Sequence, residues 1–159
     1  MKTTVTAILA MDENNGIGKD NTIPWKNKDD MQWVNQYTTG TVIVMGGNTW
    51  ESLPKKPLPS RVNVVVSSRS FLGNQPDRQY NNKTPQEIIS TLKSEFPNTN
   101  IVIFGGMQIY KQFHSLVEKY VITKIPGVYN CDRVFDIDLT NYAKHTVKFN
   151  SLIIEEYIK

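Results

Sequence analysis

The chain has little of what several protein classes require. One cysteine in 159 residues, Cys131, excludes a disulfide within the chain and makes a reducing compartment the expectation. Its two histidines, His114 and His145, lie far apart and show no ligand spacing with Cys131, so no metal site is expected. No stretch approaches the ~18 apolar residues of a membrane span, and no apolar leader follows Met1; a cytoplasmic protein is expected. Without a leader, the acceptor-like Asn82-Lys83-Thr84 is read as coincidence. No charge sign dominates: 18 Lys+Arg face 15 Asp+Glu, with no basic run beyond Lys55-Lys56. That speaks against nucleic acid as a partner, while the net charge of +3 still suits a small phosphorylated ligand. Neither G-x-S-x-G nor a Cys/His nucleophile pattern is present. No repeat, linker or low-complexity tract interrupts residues 1–159, so one domain is expected.

What is present is a strand–helix alternation. Thr4–Met11, Thr41–Met45, Val62–Ser67, Ile101–Phe104, Tyr120–Ile125 and Leu152–Ile158 read as strands. Val42–Met45 and Asn63–Val66 lack polar alternation, which suits strands covered on both faces. Helical patterns fall at Lys28–Thr39, at Thr84–Phe96 with Thr84 as N-cap and Pro85 at the first position, and at Met107–Leu116. The alternation predicts an α/β fold with a mostly parallel sheet, helices on both faces and a C-terminal antiparallel hairpin of 145–150 with Leu152–Ile158. On the first helix Asp30 shares the inward stripe of Val34 and Tyr37, with Met31 beside it. A carboxylate on an apolar face is either paired or kept for chemistry. The glycine-containing loop Ala10–Trp25 precedes it, so a ligand pocket with one acid is indicated.

Four constellations are compatible with anion binding. Phe104-Gly105-Gly106-Met107 and Met45-Gly46-Gly47-Asn48-Thr49 are strand ends running through paired glycines into helices, either tight turns or openings for phosphate at helix N–H groups. In the second, Asn48 or Thr49 is expected to cap the helix. Two such junctions in one small sheet suggest a shared crevice at the strands' carboxyl ends. Ser67-Ser68-Arg69 suits a phosphomonoester or is a solvated strand end. Pro57-Leu58-Pro59-Ser60-Arg61 holds an arginine on rigid backbone, for a ligand carboxylate or simply at the surface. Trp33 and Tyr37 are read as core or rim aromatics.

In order along the chain, these segments resemble the dihydrofolate reductase family. The resemblance rests on Ala7–Ala10, Gly16-Ile17-Gly18, Ile23-Pro24-Trp25 with Asp30 five later, Val42–Gly46 into Thr49–Ser52, Pro57–Arg61, Asn63–Ser67, Phe104–Tyr110 and Thr123, spanning roughly residues 4–135. It implies an eight-stranded, mostly parallel twisted sheet with four flanking helices, and NADPH-dependent reduction of 7,8-dihydrofolate. It further implies that Asp30 holds the pterin N3 and 2-amino edge and promotes protonation at N5 through water, with Trp25 ordering that water and Thr123 bonding the carboxylate and the pterin amino group. Hydride would pass from nicotinamide C4 to pterin C6. Ile8, Met31, Val34, Leu53, Leu58 and Phe104 would line the substrate pocket, and Arg61 would grip the α-carboxylate of the glutamate tail. Ala10, Ile17, Asn21 and Thr22 would meet the nicotinamide half of NADPH beneath a loop acting as a lid. Gly46, Gly47, Asn48, Thr49, Gly105, Gly106, Met107, Gln108, Ile109 and Tyr110 would hold the pyrophosphate and ribose. Ser67, Ser68 and Arg69 would take the 2′-phosphate, with Lys83 near the adenine. The resemblance also implies a cis Gly105-Gly106 bond, a monomer, and binding of antifolate inhibitors.

Three positions depart from the family pattern. Gly47 and Gln108 stand where relatives often carry basic residues for the phosphates, which leaves Arg69 with more of the NADPH preference. Val34 replaces an aromatic residue and leaves a roomier pocket. Two other readings compete: the related reductase domain of riboflavin biosynthesis, which rarely combines Pro-Trp, the later Asp and Pro-Leu-Pro-x-Arg, and a silent scaffold, which has no need of a buried acid.

Overall fold

Alternating side chains on one central sheet build two cores, one on each face. In the computed structural model, residues 3–20 and 22–159 are described; Asn21 lies outside them. The elements in chain order are β1 (Val5–Met11), β2 (Gly16–Gly18), α1 (Lys28–Thr38), β3 (Val42–Gly46), α2 (Gly47–Ser52), β4 (Val62–Val66), β5 (Arg78–Tyr80) and α3 (Pro85–Glu95). They continue with β6 (Ile101–Gly105), α4 (Met107–Phe113), β7 (Lys119–Lys124), β8 (Arg133–Val134), β9 (Ala143–Phe149) and β10 (Leu152–Ile158). The eight-stranded sheet runs β5-β4-β3-β6-β1-β7-β10-β9; all neighbours are parallel except β7–β10 and β10–β9.

Val42, Val44, Ile101 and Ile103 point to one face, where Ile88, Ile89 and Leu92 of α3 and Ile109, Tyr110 and Phe113 of α4 cover them. Ile43, Met45, Val65 and Val102 point to the other, under Trp50 of α2 and Trp33, Val34 and Tyr37 of α1. The unbroken apolar run of β3 is therefore buried from both sides, as a parallel strand between helix layers requires. Trp33 packs its ring at a tilt against Tyr37 (5.5 Å between centroids) and Phe149 (5.3 Å), as core-edge aromatics.

Local chemistry accounts for the helix starts. Thr84 accepts the Glu87 N–H at 3.1 Å and Pro85 takes the first turn of α3. Asn27 caps α1 by accepting the Asp30 N–H at 3.0 Å. The expected cap of α2 by Asn48 or Thr49 is not made. That helix begins at Gly47 with Gly46 as an N-cap lacking a side-chain bond, and the Asn48 oxygen is instead taken by Arg69. The helix at 107 stops at Phe113 and continues as a 3-10 turn over His114–Leu116.

Three short strands were not expected: β5 on the outer edge, and β2 with β8, which pair antiparallel outside the main sheet. All are two or three residues long, too short to show a period of their own, and β2 sits in what reads as a glycine loop. The chain steps outward from β1 to β3, β4 and β5, then returns through β6 between β3 and β1. That reversal places the carboxyl ends of β1, β3 and β6 side by side, where an open α/β sheet forms its ligand crevice. No helix among the described residues is long and apolar enough to cross a membrane.

Candidate active site

At one end of the crevice lies the acid. Asp30, in the first turn of α1, is only 7% exposed, and Trp25 and Thr123 are buried with it. Thr123 is on β7, flanked by Ala10 of β1 and Ile154 of β10. The Asp30 Oδ1, Trp25 Nε1 and Thr123 Oγ1 are buried yet make no hydrogen bond of good geometry. Burial pushes the Asp30 carboxyl above its ordinary value, and the nearby Trp25 and Thr123 donors pull it only partly back. One acid and two donors buried together with no charged partner complement a ligand edge bearing N–H groups beside a bound water.

The loop after β1 is braced against this end. Asp12, 1% exposed, accepts N–H groups from Asn14 (2.9 Å), Gly16 (2.8 Å) and Tyr129 (2.9 Å). Its burial raises the carboxyl, but the Tyr129, Gly16 and Asn14 donors prevail and hold it below its usual value. Tyr129 in turn sets its ring edge-on to Trp25 at 5.5 Å. A Cβ on Gly16 would fall 2.5 Å from the Cys131 Cβ, so only glycine permits this approach. The segment is no plain loop: β2 pairs with β8, and the Asp20 N–H donates to Asp132 at 3.0 Å. Ile17 packs half-buried on the core, whereas Thr22 and Ile23 are exposed.

Against the far end of α1, from the turn before β4, stands Arg61, half-buried and without an ion pair among the described residues. Its Nε donates to the Pro59 carbonyl (2.9 Å), Nη1 to Thr38 Oγ1 (3.0 Å) and Nη2 to Asn35 Oδ1 (2.9 Å). Every acceptor is neutral, so the positive charge remains uncompensated and available to a carboxylate. Ile8, Val34, Leu53, Leu58 and Phe104 belong to or pack on the core of this same face. Met31 stands out at 68% exposed, at the rim rather than in the wall.

The glycine junctions meet. A Cβ on Gly106 would lie 3.8 Å from Thr49 Oγ1, and one on Gly46 would lie 3.1 Å from Ile109 Cγ1 and 3.9 Å from the Gly105 carbonyl oxygen. The Gly105-Gly106 peptide is cis, as expected, and Gly105 has φ +111°. Ile109 and Tyr110 turn into the core, the Tyr110 hydroxyl donating to the Ile8 carbonyl at 2.7 Å, so their side chains serve packing; Met107 is half-buried and Gln108 exposed. Next to the α2 junction stand Ser67, Ser68 and Arg69. Ser67 Oγ accepts the Arg69 N–H at 3.1 Å, Arg69 bonds Asn48, and Gln79 of β5 donates to the Ser67 (3.0 Å) and Arg69 (2.6 Å) carbonyls. A Cβ on Gly47 would crowd Ser67 Oγ at 2.9 Å, which leaves bare backbone beside two hydroxyls and a guanidinium. This cradle fits a phosphorylated nucleotide. Lys83 is exposed and reaches Glu87 at 4.0 Å.

Sequence reasoning missed Asp12, Asn63, Asp77 and Gln79, which brace loops rather than face the crevice. A buried Asn within a valine run was the one readable signal. A separate cavity of about 260 Å³ lies on the opposite face, against Met11, Ile122, Phe135 and Tyr157. Its Glu155 is occupied by Lys144 (3.0 Å) and Lys124 (3.8 Å), so it offers no free acid or base.

A mostly parallel sheet with two glycine-opened junctions, a Ser-Ser-Arg cradle and a buried acid whose pKa is raised is the arrangement of a nucleotide-dependent enzyme for a small molecule. Comparison with known proteins narrows this. The family model described as dihydrofolate reductase matches residues 4–152. A dihydrofolate reductase of Buchnera aphidicola is 36% identical over 121 residues, covering 76% of this chain and 71% of that protein. One of Bacillus subtilis is 35% identical over 144 residues, covering 87% and 79%. In fold, the chain matches a dihydrofolate reductase from Enterococcus faecalis complexed with NADP(H) and RAB-propyl, at TM-score 0.78 and 20% identity over 98% and 95% of the two chains. The chain belongs to the dihydrofolate reductase family.

Proposed function

We propose that the crevice reduces 7,8-dihydrofolate to tetrahydrofolate with NADPH, and that Asp30, Trp25 and Thr123 are its catalytic residues. The observation that carries the assignment is the buried acid without a charged partner, set beside the Trp25 and Thr123 donors. Asp30 holds the pterin's amidine-like edge, and Thr123 bonds the carboxylate and the 2-amino group. Since a carboxylate engaged with that edge does not reach N5, Trp25 holds the water that passes the proton. The carboxyl's raised pKa keeps a proton at hand closer to neutral pH than an exposed aspartate would. When bound, NADPH supplies the hydride. The protein's part is alignment and exclusion of water, through the wall of Ile8, Val34, Leu53, Leu58 and Phe104 and the lid at 17–22.

Arg61 grips the glutamate tail, while Gly46–Thr49, Gly105–Met107 and Ser67–Arg69 hold the cofactor, with Arg69 on the 2′-phosphate. Antifolate inhibitors compete for the Asp30 pocket. The chain acts as a cytoplasmic monomer without nucleic-acid or membrane partners. The test is loss of NADPH absorbance with dihydrofolate, parent chain against Asp30→Asn. Turnover that collapses in the variant supports the assignment; no turnover in the parent, or an unaffected variant, rejects it.

A further inference from the structure

We infer that Asn63, backed by Asp77, is a positioning residue that sets Arg61 and thereby the grip on substrates with a carboxylate tail; this rests on the reading of Arg61 above. Asn63 is the second residue of β4, paired with Ile43, and is 0% exposed among Val62, Val64 and Val65. An amide in such a place costs stability unless every polar atom is satisfied, and asparagine is a poor strand former. Here the satisfaction comes from one loop. Its Oδ1 accepts the Leu58 N–H at 2.9 Å, and its Nδ2 donates to the carbonyls of Leu58 (2.9 Å) and Arg61 (3.2 Å). Behind it, Asp77 Oδ2 accepts the Asn63 backbone N–H at 2.7 Å and lies 3.4 Å from Nδ2.

One side chain thus ties both ends of the 58–61 turn to the sheet. That turn has no helix or strand of its own, and Ser60 within it sits at φ +62°. The arginine is consequently fixed at two levels. Asn63 holds its backbone carbonyl, while Thr38 and Asn35 of α1, with Pro59, hold its guanidinium. Loss of the amide frees the turn, and with it the Pro59 carbonyl that holds Nε, to shift against Thr38 and Asn35. That turns the guanidinium and misplaces its N–H groups for a carboxylate, while Asp30 on α1 is untouched. Bidentate pairing tolerates such a shift poorly.

The test compares dihydrofolate with a dihydropterin lacking the benzoylglutamate tail, at saturating NADPH, for Asn63→Ala, Asp77→Ala, Arg61→Ala and the Asn63→Ala/Arg61→Ala double variant. Asn63→Ala is expected to raise KM for dihydrofolate about tenfold and Asp77→Ala about threefold, with kcat within about twofold and both constants for the tail-less substrate unmoved. The double variant should show no rise beyond Arg61→Ala alone, because the two act on one contact. A purely structural role predicts equal losses on both substrates; that result, no loss on either, or additivity in the double variant overturns the inference. Should Asn63→Ala not fold, the exposed Asp77→Ala decides by the same selectivity. If Arg61→Ala itself leaves the two substrates equally served, the reading of Arg61 fails; if only the Asn63 variants do so, the failure is of the present inference alone.

Discussion

Arg61 lies against the end of α1 and Arg69 beside the α2 junction, and the two are held in different ways. Arg61 is half-buried, bonded to three neutral acceptors and anchored through its own carbonyl by a fully buried amide. Burial pulls its pKa down somewhat, though a guanidinium stays charged. Arg69 is exposed; its side chain rests on Asn48, and its backbone is tied by Gln79 at the sheet's outer edge. Arg61 is thus preorganised and partly shielded from solvent, and Arg69 stands in an open, adjustable cradle. Desolvated, prefixed charges discriminate by geometry; exposed ones contribute mainly attraction that salt screens.

The strongest way to break this contrast is at its buried extreme. Asp30→Asn is expected to lower kcat/KM for dihydrofolate by about 10²–10⁴, the usual worth of a positioned acid, with the deficit largest above neutral pH and partly relieved in acid, where solvent supplies the proton. The sign for stability is opposite. Because the folded carboxyl titrates above 3.8, the native state holds its proton longer than the unfolded chain, and stability falls as pH rises through the window between the two values. At neutral pH the Asn variant should therefore melt higher than the parent. A lower melting temperature there would refute the claim that this acid is kept at a cost.

Arg61→Ala should come next, raising KM for dihydrofolate about 30–100-fold, as for loss of a charge-assisted pair, with kcat little changed. Arg69→Ala should raise KM for NADPH by only about tenfold, leave NADH almost unaffected, and lose most of its effect at high salt. Equal salt sensitivity of the two arginine variants would erase the proposed difference between the two. The smallest effect is expected from Gly47→Ala. Its added methyl meets the movable tip of Ser67, so a two- to fourfold rise in KM for NADPH should suffice, costing below about 1 kcal/mol.

Legibility in the sequence followed length and period. β1, β3, β4, β6, β7 and β10 were visible as apolar runs, and α3 announced its start through Thr84-Pro85. The two- and three-residue strands β2, β5 and β8 carried no period, because their order comes from the partner they pair with. Residues proposed to meet ligand were readable by type: an acid on an apolar stripe, glycine pairs at strand ends, serines before an arginine. Residues that hold those residues in place were not. Asp12 binds a loop more than a hundred residues away through Tyr129, and Gln79 secures Arg69 from a strand that local signals do not reveal. Met31, read as pocket wall, stands largely in solvent, since its neighbour Asp30 occupies the inward position on that turn of α1.

By itself the sequence determined the alternation of strands and helices, and with it a parallel sheet buried on both faces. It also determined the chemical inventory of the crevice, because periodicity and residue type are local properties that every fold of this chain must respect. Tertiary structure alone decided which groups share a space. It brought Trp25 and Thr123 to Asp30, set Gly106 beside Thr49, and locked Arg61 through Asn63 while leaving Arg69 open. Those outcomes depend on the order in which strands insert into the sheet and on hydrogen bonds between distant loops. Such long-range pairings are selected by the packing of the whole molecule, and no short stretch of sequence encodes them.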